Sequence, residues 1–298
     1  MAVAIGIGAL VLLAIVVFAP EIWLRAPQPK TVEQAVEKPN VYEKVTISAK
    51  SAIVYDLKTG EVLYAKNAET QLPLASLTKL LSVYAASLAL GTDAPVTMSA
   101  HALSQEGDNG FTQGETFSFN ELAKLALVAS SNDAAEAIAE TAVKIRAETR
   151  ESLLASAASA LGLSQTYAVN GTGLDENGTV SGGYGSAHDI AILAGEFLKR
   201  IPEIAHATLD PTVTAVSRKG ESYTLKNTNP DVEHMTGLML SKTGYTDLAG
   251  GNLAIVYDAG IDHPIAIVVL GSTRDERFLD VEELVEATSQ YFVSLDLL

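Results

Sequence analysis

Leu72-Pro73-Leu74-Ala75-Ser76-Leu77-Thr78-Lys79, running into Leu80-Leu81-Ser82-Val83-Tyr84-Ala85-Ala86-Ser87-Leu88, is the stretch on which the reading of this chain turns. Apolar residues after Ser76 recur at helical spacing, which predicts a helix starting near Ala75 with Ser76 and Lys79 one turn apart on one face. A serine hydroxyl is a weak nucleophile at neutral pH, and a lysine whose pKa is lowered by desolvation or nearby positive charge can take its proton. Ser-Lys pairs are one variant of the serine-base scheme. A hydroxyl at a helix N-terminus also lies beside free backbone N–H groups, which suit a developing oxyanion. Alone, Ser-x-x-Lys recurs by chance and equally describes a helix cap beside a solvated lysine. Its meaning depends on what stands downstream.

The composition narrows the field. The 298 residues, 48% hydrophobic and 19% charged, suit one globular domain with a short extra segment. A formal net charge of -16 argues against nucleic acid as a partner and against a basic patch on anionic lipid. The absence of cysteine excludes disulfides, thiolate metal sites and cysteine nucleophiles. His101, His188, His206, His234 and His263 stand far apart with no His-x-x-x-His pair, so neither a metal nor another cofactor is expected. There is also no Gly-x-Ser-x-Gly elbow.

Three segments follow. Residues 1–20 read as a membrane anchor or signal segment: the run from Ala2 to Ala19 is apolar throughout, just long enough to cross a bilayer core. Its length and the Pro20 that follows favour an uncleaved anchor, although Arg25 and Lys30 after the run sit awkwardly with the positive-inside rule. Residues 21–44, rich in Pro, Lys, Glu and Gln, read as a linker. Residues 45–298 form the globular domain.

Within that domain Val45 to Leu57 and Glu61 to Lys66 read as strands joined at Lys58-Thr59-Gly60. A short strand follows at Val96-Thr97-Met98, then a short helix and loop over Ser99 to Gly110. Ser118-Phe119-Asn120-Glu121 is a capping box opening a helix from Asn120 to Val128. That helix breaks at Ala129-Ser130-Ser131-Asn132-Asp133, with further helices from Asp133 to Arg146 and Glu148 to Leu161. A Gly/Asn-rich loop fills Gly162 to Ser186, and a helix spans Ala187 to Lys199. Strands are expected at Thr212 to Val216, Ser222 to Lys226, Leu238 to Lys242, Asn252 to Tyr257 and Pro264 to Leu270, closed by a helix from Asp275 to Phe292. Strands at both ends with helices between them predict an α+β domain: one antiparallel sheet flanked by helices, with an inserted helical lobe and a cleft between.

Two elements give Ser76 company. Ser130-Ser131-Asn132 sits at a helix break, where side chains can leave the helix, and Lys242-Thr243-Gly244 ends a strand, where Gly244 admits close backbone approach. Two decoys have simpler explanations: Ser118 caps a helix, and Lys58-Thr59-Gly60 is a hairpin turn. In order and spacing, Ser76-x-x-Lys79, Ser130-x-Asn132 and Lys242-Thr243-Gly244 resemble the motif set of serine penicillin-binding proteins and serine β-lactamases. The flanks Asn170-Gly171-Thr172-Gly173-Leu174-Asp175, Lys242-Thr243-Gly244-Tyr245-Thr246 and Gly250-Gly251-Asn252-Leu253 resemble the D-alanyl-D-alanine carboxypeptidase family, from about Val45 to Phe292.

The resemblance implies a β-lactamase/DD-peptidase-like fold and a serine D-Ala-D-Ala carboxypeptidase acting on peptidoglycan stem peptides, acylated by penicillins and other β-lactams. Ser76 would attack the carbonyl, Lys79 would be its base, and Ser130 would relay a proton to the leaving amine. Asn132 would hold the substrate amide, Lys242 would keep the site positive and Thr243 would bind the terminal carboxylate. Backbone N–H groups of Ser76 and Tyr245, the latter beside Gly244, would form the oxyanion hole. Arg277 is the candidate for a further carboxylate contact, although its spacing looks one residue short and a surface salt bridge would also explain it. His188 and His234 read as structural or surface residues.

Many family members add a C-terminal β-domain and an amphipathic anchor; here the N-terminal run, residues 2–19, is expected to replace that anchor, placing the domain on the extracytoplasmic side of a bacterial membrane. A DD-endopeptidase would use the same residues. A class A β-lactamase needs a deacylating glutamate, for which the Gly162 to Ser186 loop offers only Asp175 and Glu176 outside the expected pattern. A penicillin-binding sensor without turnover is the non-enzymatic alternative. The sequence leaves the oligomeric state open.

Overall fold

The computed structural model describes residues 40–260 and 262–295. The expected anchor or signal segment at 1–20, and the linker as far as residue 39, lie outside them. Among the described residues no helix is long and apolar enough to cross a membrane. The described residues include a 3-10 helix at Val41–Lys44, four residues ahead of the expected domain boundary. The reason is an aromatic anchor. The Tyr42 ring lies 5.5 Å from that of Tyr64 and 6.2 Å from that of Tyr291, and its hydroxyl donates to Thr288 Oγ1 at 3.0 Å.

In chain order the first elements are β1 (Ser51–Asp56), β2 (Val62–Lys66), β3 (Leu72–Pro73), a 3-10 turn at Ala75–Leu77, α1 (Thr78–Ser87), β4 (Pro95–Thr97) and a 3-10 turn at Ala102–Ser104. Next come β5 (Thr116–Ser118), α2 (Phe119–Val128), α3 (Asn132–Arg146), α4 (Arg150–Ala160), β6 (Tyr167–Ala168), β7 (Gly183–Gly185), α5 (Ala187–Arg200) and α6 (Pro202–Ala207). The chain closes with β8 (Thr212–Val216), β9 (Ser222–Lys226), β10 (Leu238–Thr246), β11 (Gly250–Asp258), β12 (Pro264–Ser272) and α7 (Glu276–Leu295).

The main sheet has the order β10-β11-β12-β1-β2, antiparallel throughout, so the two ends of the domain meet as expected. Side chains alternate between its faces with the period of two that a strand imposes. Ile265, Ile267 and Val269 pack with Val281 and Leu284 of α7, whereas Ala266, Val268 and Leu270 join the core built with α1 and α5. Both faces are covered, which is why β11 and β12 read as nearly continuous apolar runs. Asp280 fastens three parts of this unit: its carboxylate accepts from the N–H groups of Ser48 and Ala49 and from Ser272 Oγ.

The helical lobe follows its caps. Ser118, Ser131, Thr149 and Ser186 each accept from a backbone N–H three residues on, opening α2 to α5. The expected capping box is only half made, because Glu121 accepts from Val216 N instead of turning back to its own cap. At the hairpin decoy, Asp56 Oδ1 accepts from the N–H groups of Lys58 and Thr59, and Gly60 takes φ of +77°, as a tight turn requires.

Three expectations need correction. Residues 45–50 are not strand, since pairing starts at Ser51. The expected helix in Ser99 to Gly110 is only the three-residue turn Ala102–Ser104. The Lys242-Thr243-Gly244 motif does not end its strand: β10 continues through Thr246, with Gly244 opposite Asn252 and Thr246 opposite Gly250. Gly244 belongs in the strand because β10 passes close to the Ser76 turn. A Cβ there would lie 2.9 Å from Leu74 O and 3.2 Å from Ser76 N.

Candidate active site

α1 is buried on nearly every side, and its Lys79 is completely enclosed. An amine in such a place must have partners. Lys79 Nζ lies 2.7 Å from Ser76 Oγ, 2.7 Å from Asn132 Oδ1 and 2.8 Å from the Thr172 carbonyl. Two of these partners only accept at those atoms. A neutral amine that gives its two hydrogens to Asn132 and Thr172 therefore keeps its lone pair for the Ser76 hydroxyl. Burial pushes the Lys79 pKa down to about 7, so the neutral form is accessible.

Asn132 is itself aimed from behind, because its Nδ2 donates to the Glu106 carbonyl at 2.7 Å. The second amine comes from the sheet. Lys242 Nζ donates to Ser130 Oγ at 2.9 Å and to the Thr243 carbonyl at 2.7 Å. Burial, then the charges of Lys79 and Arg277, hold its pKa well below the usual lysine range. The two lysines thus oppose each other's protonation. Thr243 Oγ1 lies 2.6 Å from Thr228 Oγ1.

Arg277 is not a surface salt-bridge partner. It is 7% exposed, and its Nη1 donates to the Gly244 carbonyl at 2.7 Å, tying α7 to the strand that carries Lys242 and Thr243. Burial, then neighbouring Arg274, lowers its pKa to about 10. Tyr245, the next residue of β10, is 43% exposed with the Arg274 guanidinium 5.2 Å from its ring centre.

Two backbone positions here are held in the left-handed region without being glycine: Ala75 at φ +48° and Ser130 at φ +58°. Such conformations cost about 1–3 kcal/mol and persist only where surroundings impose them. Gly173 is part of that enforcement. At φ +79° it lies so close to the Ser76 turn that a Cβ would stand 1.9 Å from Ala75 O.

All three motifs therefore converge, and Arg277 joins them through Gly244. Sequence reasoning did not identify the Thr172 and Glu106 carbonyls, Thr228 or the strained Ala75. Thr172 and Gly173 lie in a stretch whose glycines were the available signal; the others leave no local mark. The remaining carboxylates of that loop are occupied: Asp175 accepts from Thr246 Oγ1 and Leu248 N, and Glu176 accepts from Asn170 Nδ2. His188 pairs with Glu69 at 2.6 Å. His234 lines a separate cavity of about 640 Å³ with Tyr257, Phe278 and Leu279, which contains none of the motif residues.

A family model described as D-alanyl-D-alanine carboxypeptidase matches residues 33–274. This chain belongs to the D-alanyl-D-alanine carboxypeptidase family. It is 33% identical to D-alanyl-D-alanine carboxypeptidase DacF of Bacillus subtilis over 281 residues, covering 92% of this chain and 68% of DacF. It is 29% identical to a D-alanyl-D-alanine endopeptidase of Pseudomonas aeruginosa over 231 residues, covering 75% of this chain and 71% of the relative. Among solved structures it resembles penicillin-binding protein D2 of Listeria monocytogenes in its ampicillin-bound form. There the TM-score is 0.70 with 30% identity, over 84% of this chain and 99% of that one.

Proposed function

We propose that the chain is a serine D-Ala-D-Ala carboxypeptidase of peptidoglycan stem peptides, acylated at Ser76 by substrate and by penicillins. The observation that carries this is the enclosed Lys79 amine, 2.7 Å from Ser76 Oγ with two carbonyl oxygens occupying its other directions.

In the reaction Ser76 Oγ attacks the carbonyl carbon of the terminal D-Ala-D-Ala amide while its proton passes to Lys79. The oxygen that gains charge is received by the N–H groups of Ser76 and Tyr245, which β10 brings together at Gly244; one such donor is worth about 2.7–4 kcal/mol of barrier. Ser130, hydrogen-bonded to Lys242, passes a proton to the departing amine as the C–N bond breaks. D-alanine leaves, and water then hydrolyses the ester on Ser76. Asn132 holds the substrate amide as well as Lys79. Lys242 and Thr243 meet the terminal carboxylate, and Arg277 supports them from beneath at Gly244.

A β-lactamase requires a base that clears the acyl-enzyme quickly, and the engagement of Asp175 by Thr246 and Leu248 and of Glu176 by Asn170 counts against it. A DD-endopeptidase reading is favoured only by the endopeptidase relative and uses the same residues. The unbroken apolar run at 2–19 supports a membrane segment with the domain on the extracytoplasmic side, where peptidoglycan lies.

The test is D-alanine release from a D-Ala-D-Ala peptide by the full chain. Lys242→Ala is expected to lose at least about 100-fold, and Lys58→Ala, in the hairpin decoy, to keep the parent rate. Loss in Lys58→Ala with retention in Lys242→Ala would overturn the assignment.

A further inference from the structure

Beyond the catalytic centre, the helix that begins at Asn132 carries two glutamates one turn apart, Glu136 and Glu140, on one face. Facing them is His101, at the start of the turn Ala102–Ser104. His101 Nδ1 lies 3.4 Å from Glu136 Oε1 and 3.0 Å from Glu140 Oε1, and donor atoms of all three residues fall within 4.8 Å of one another. At metal–ligand distances of about 2.0–2.2 Å, neighbouring donors on a tetrahedral zinc ion stand about 3.4 Å apart, close to the two histidine–carboxylate spacings.

The charges point the same way. Glu136 is almost wholly enclosed, and the Arg150 guanidinium donates to its Oε1. Two carboxylates against one guanidinium leave a negative charge over. Burial raises the Glu136 pKa, with Arg150 opposing and Glu140 adding to the rise. Glu140 is held in place by Ser99, whose Oγ donates to Oε2, leaving Oε1 toward the histidine. His101 is 61% exposed at its side chain, so the group opens to solvent and a fourth, water position is available.

We infer that His101, Glu136 and Glu140 form a binding site for a divalent cation of the zinc class, an N/O-donor site separate from the catalytic serine. The imidazole selects against calcium and magnesium, which take oxygen donors. The site joins the 99–106 segment to α3. That segment supplies the Glu106 carbonyl on which Asn132 Nδ2 rests, so a bound cation would stiffen the support behind Asn132.

The test is titration of the full chain, metal-free, with Zn²⁺ alone, by calorimetry and by amide hydrogen exchange. One equivalent is expected to bind and to slow exchange across residues 99–106. His101→Gln and Glu140→Gln, both at solvent-reached side chains, should each weaken binding at least tenfold and lose the exchange protection. Absence of saturable binding at one equivalent, or wild-type affinity in either variant, would overturn the site. It would leave His101 as an ion-pair partner of the two glutamates.

Discussion

Burial sets the working state of Lys79. A lysine with a pKa near 10.5 would be protonated at neutral pH and useless as a base, whereas enclosure in α1 brings it to about 7. The sign of the pH dependence follows. Below about pH 7 the amine holds its proton, so acylation by penicillin should fall about tenfold per pH unit, and above it the rate should level off. Stopped-flow acylation kinetics of the full chain between pH 5 and 8 would measure this; a flat profile would remove Lys79 as the base. Stability carries the same sign: between about pH 7 and 10.5 the unfolded chain binds the proton that the folded one releases, so this residue's contribution to stability rises with pH there.

At the scale of elements, Ser76 is placed by a turn that costs energy and is braced from two sides. Gly244 lets β10 approach Ser76, and Gly173 fits against the carbonyl of Ala75. Gly173→Ala would force a Cβ to within 1.9 Å of that carbonyl at a φ of +79°. We expect acylation to drop at least tenfold, and Tm by several degrees, since strain of this kind costs about 1–3 kcal/mol. Gly178→Ala, in the same loop with nothing within 4 Å of its added Cβ, should leave both unchanged. Penicillin acylation rates and thermal melts of the two variants check this.

Legibility varied along these elements for physical reasons. The contacts of Ser76 with Lys79, Lys79 with Asn132 and Ser130 with Lys242 could be anticipated because the motif set fixes residue types at short spacing. β8 and β9 were found to the residue because an exposed hairpin keeps its alternation. β3, β6 and β7 were missed because strands of two or three residues show no period. α6 was missed because it is only 6 residues long and follows α5 with only Ile201 between them. The length of β10 came from pairing with β11, a fact of tertiary structure. Thr228, Glu106 and the contact of Arg277 with Gly244 join residues far apart in sequence. The same is true of His101 with Glu136.

For the whole molecule, the decisive feature is that the first and last parts of the domain build one sheet. β1 lies between β2 and β12, and α7 covers the face away from the helical lobe. Asp280 of α7 secures this closure through Ser48, Ala49 and Ser272. Asp280→Ala would leave those donors without their carboxylate and is expected to cost at least about 3 kcal/mol. For a domain of this size that lowers Tm by about 6–12 °C. Thermal unfolding measures it, and a shift under about 2 °C would mean that the sheet closes without this contact. The motif geometry depends on that closure, because Ser76 lies after the N-terminal strands and Lys242 lies on a C-terminal one.

The most direct measurement is the intact mass of the full chain, followed over time after addition of a penicillin, for the parent and for Ser76→Ala. The parent should gain the mass of one drug molecule on Ser76 and keep it, while Ser76→Ala gains nothing. Equal labelling of Ser76→Ala, or no adduct on the parent, would contradict the assignment of Ser76 as nucleophile. An adduct that clears quickly with hydrolysis of the drug would contradict the carboxypeptidase reading and favour a β-lactamase.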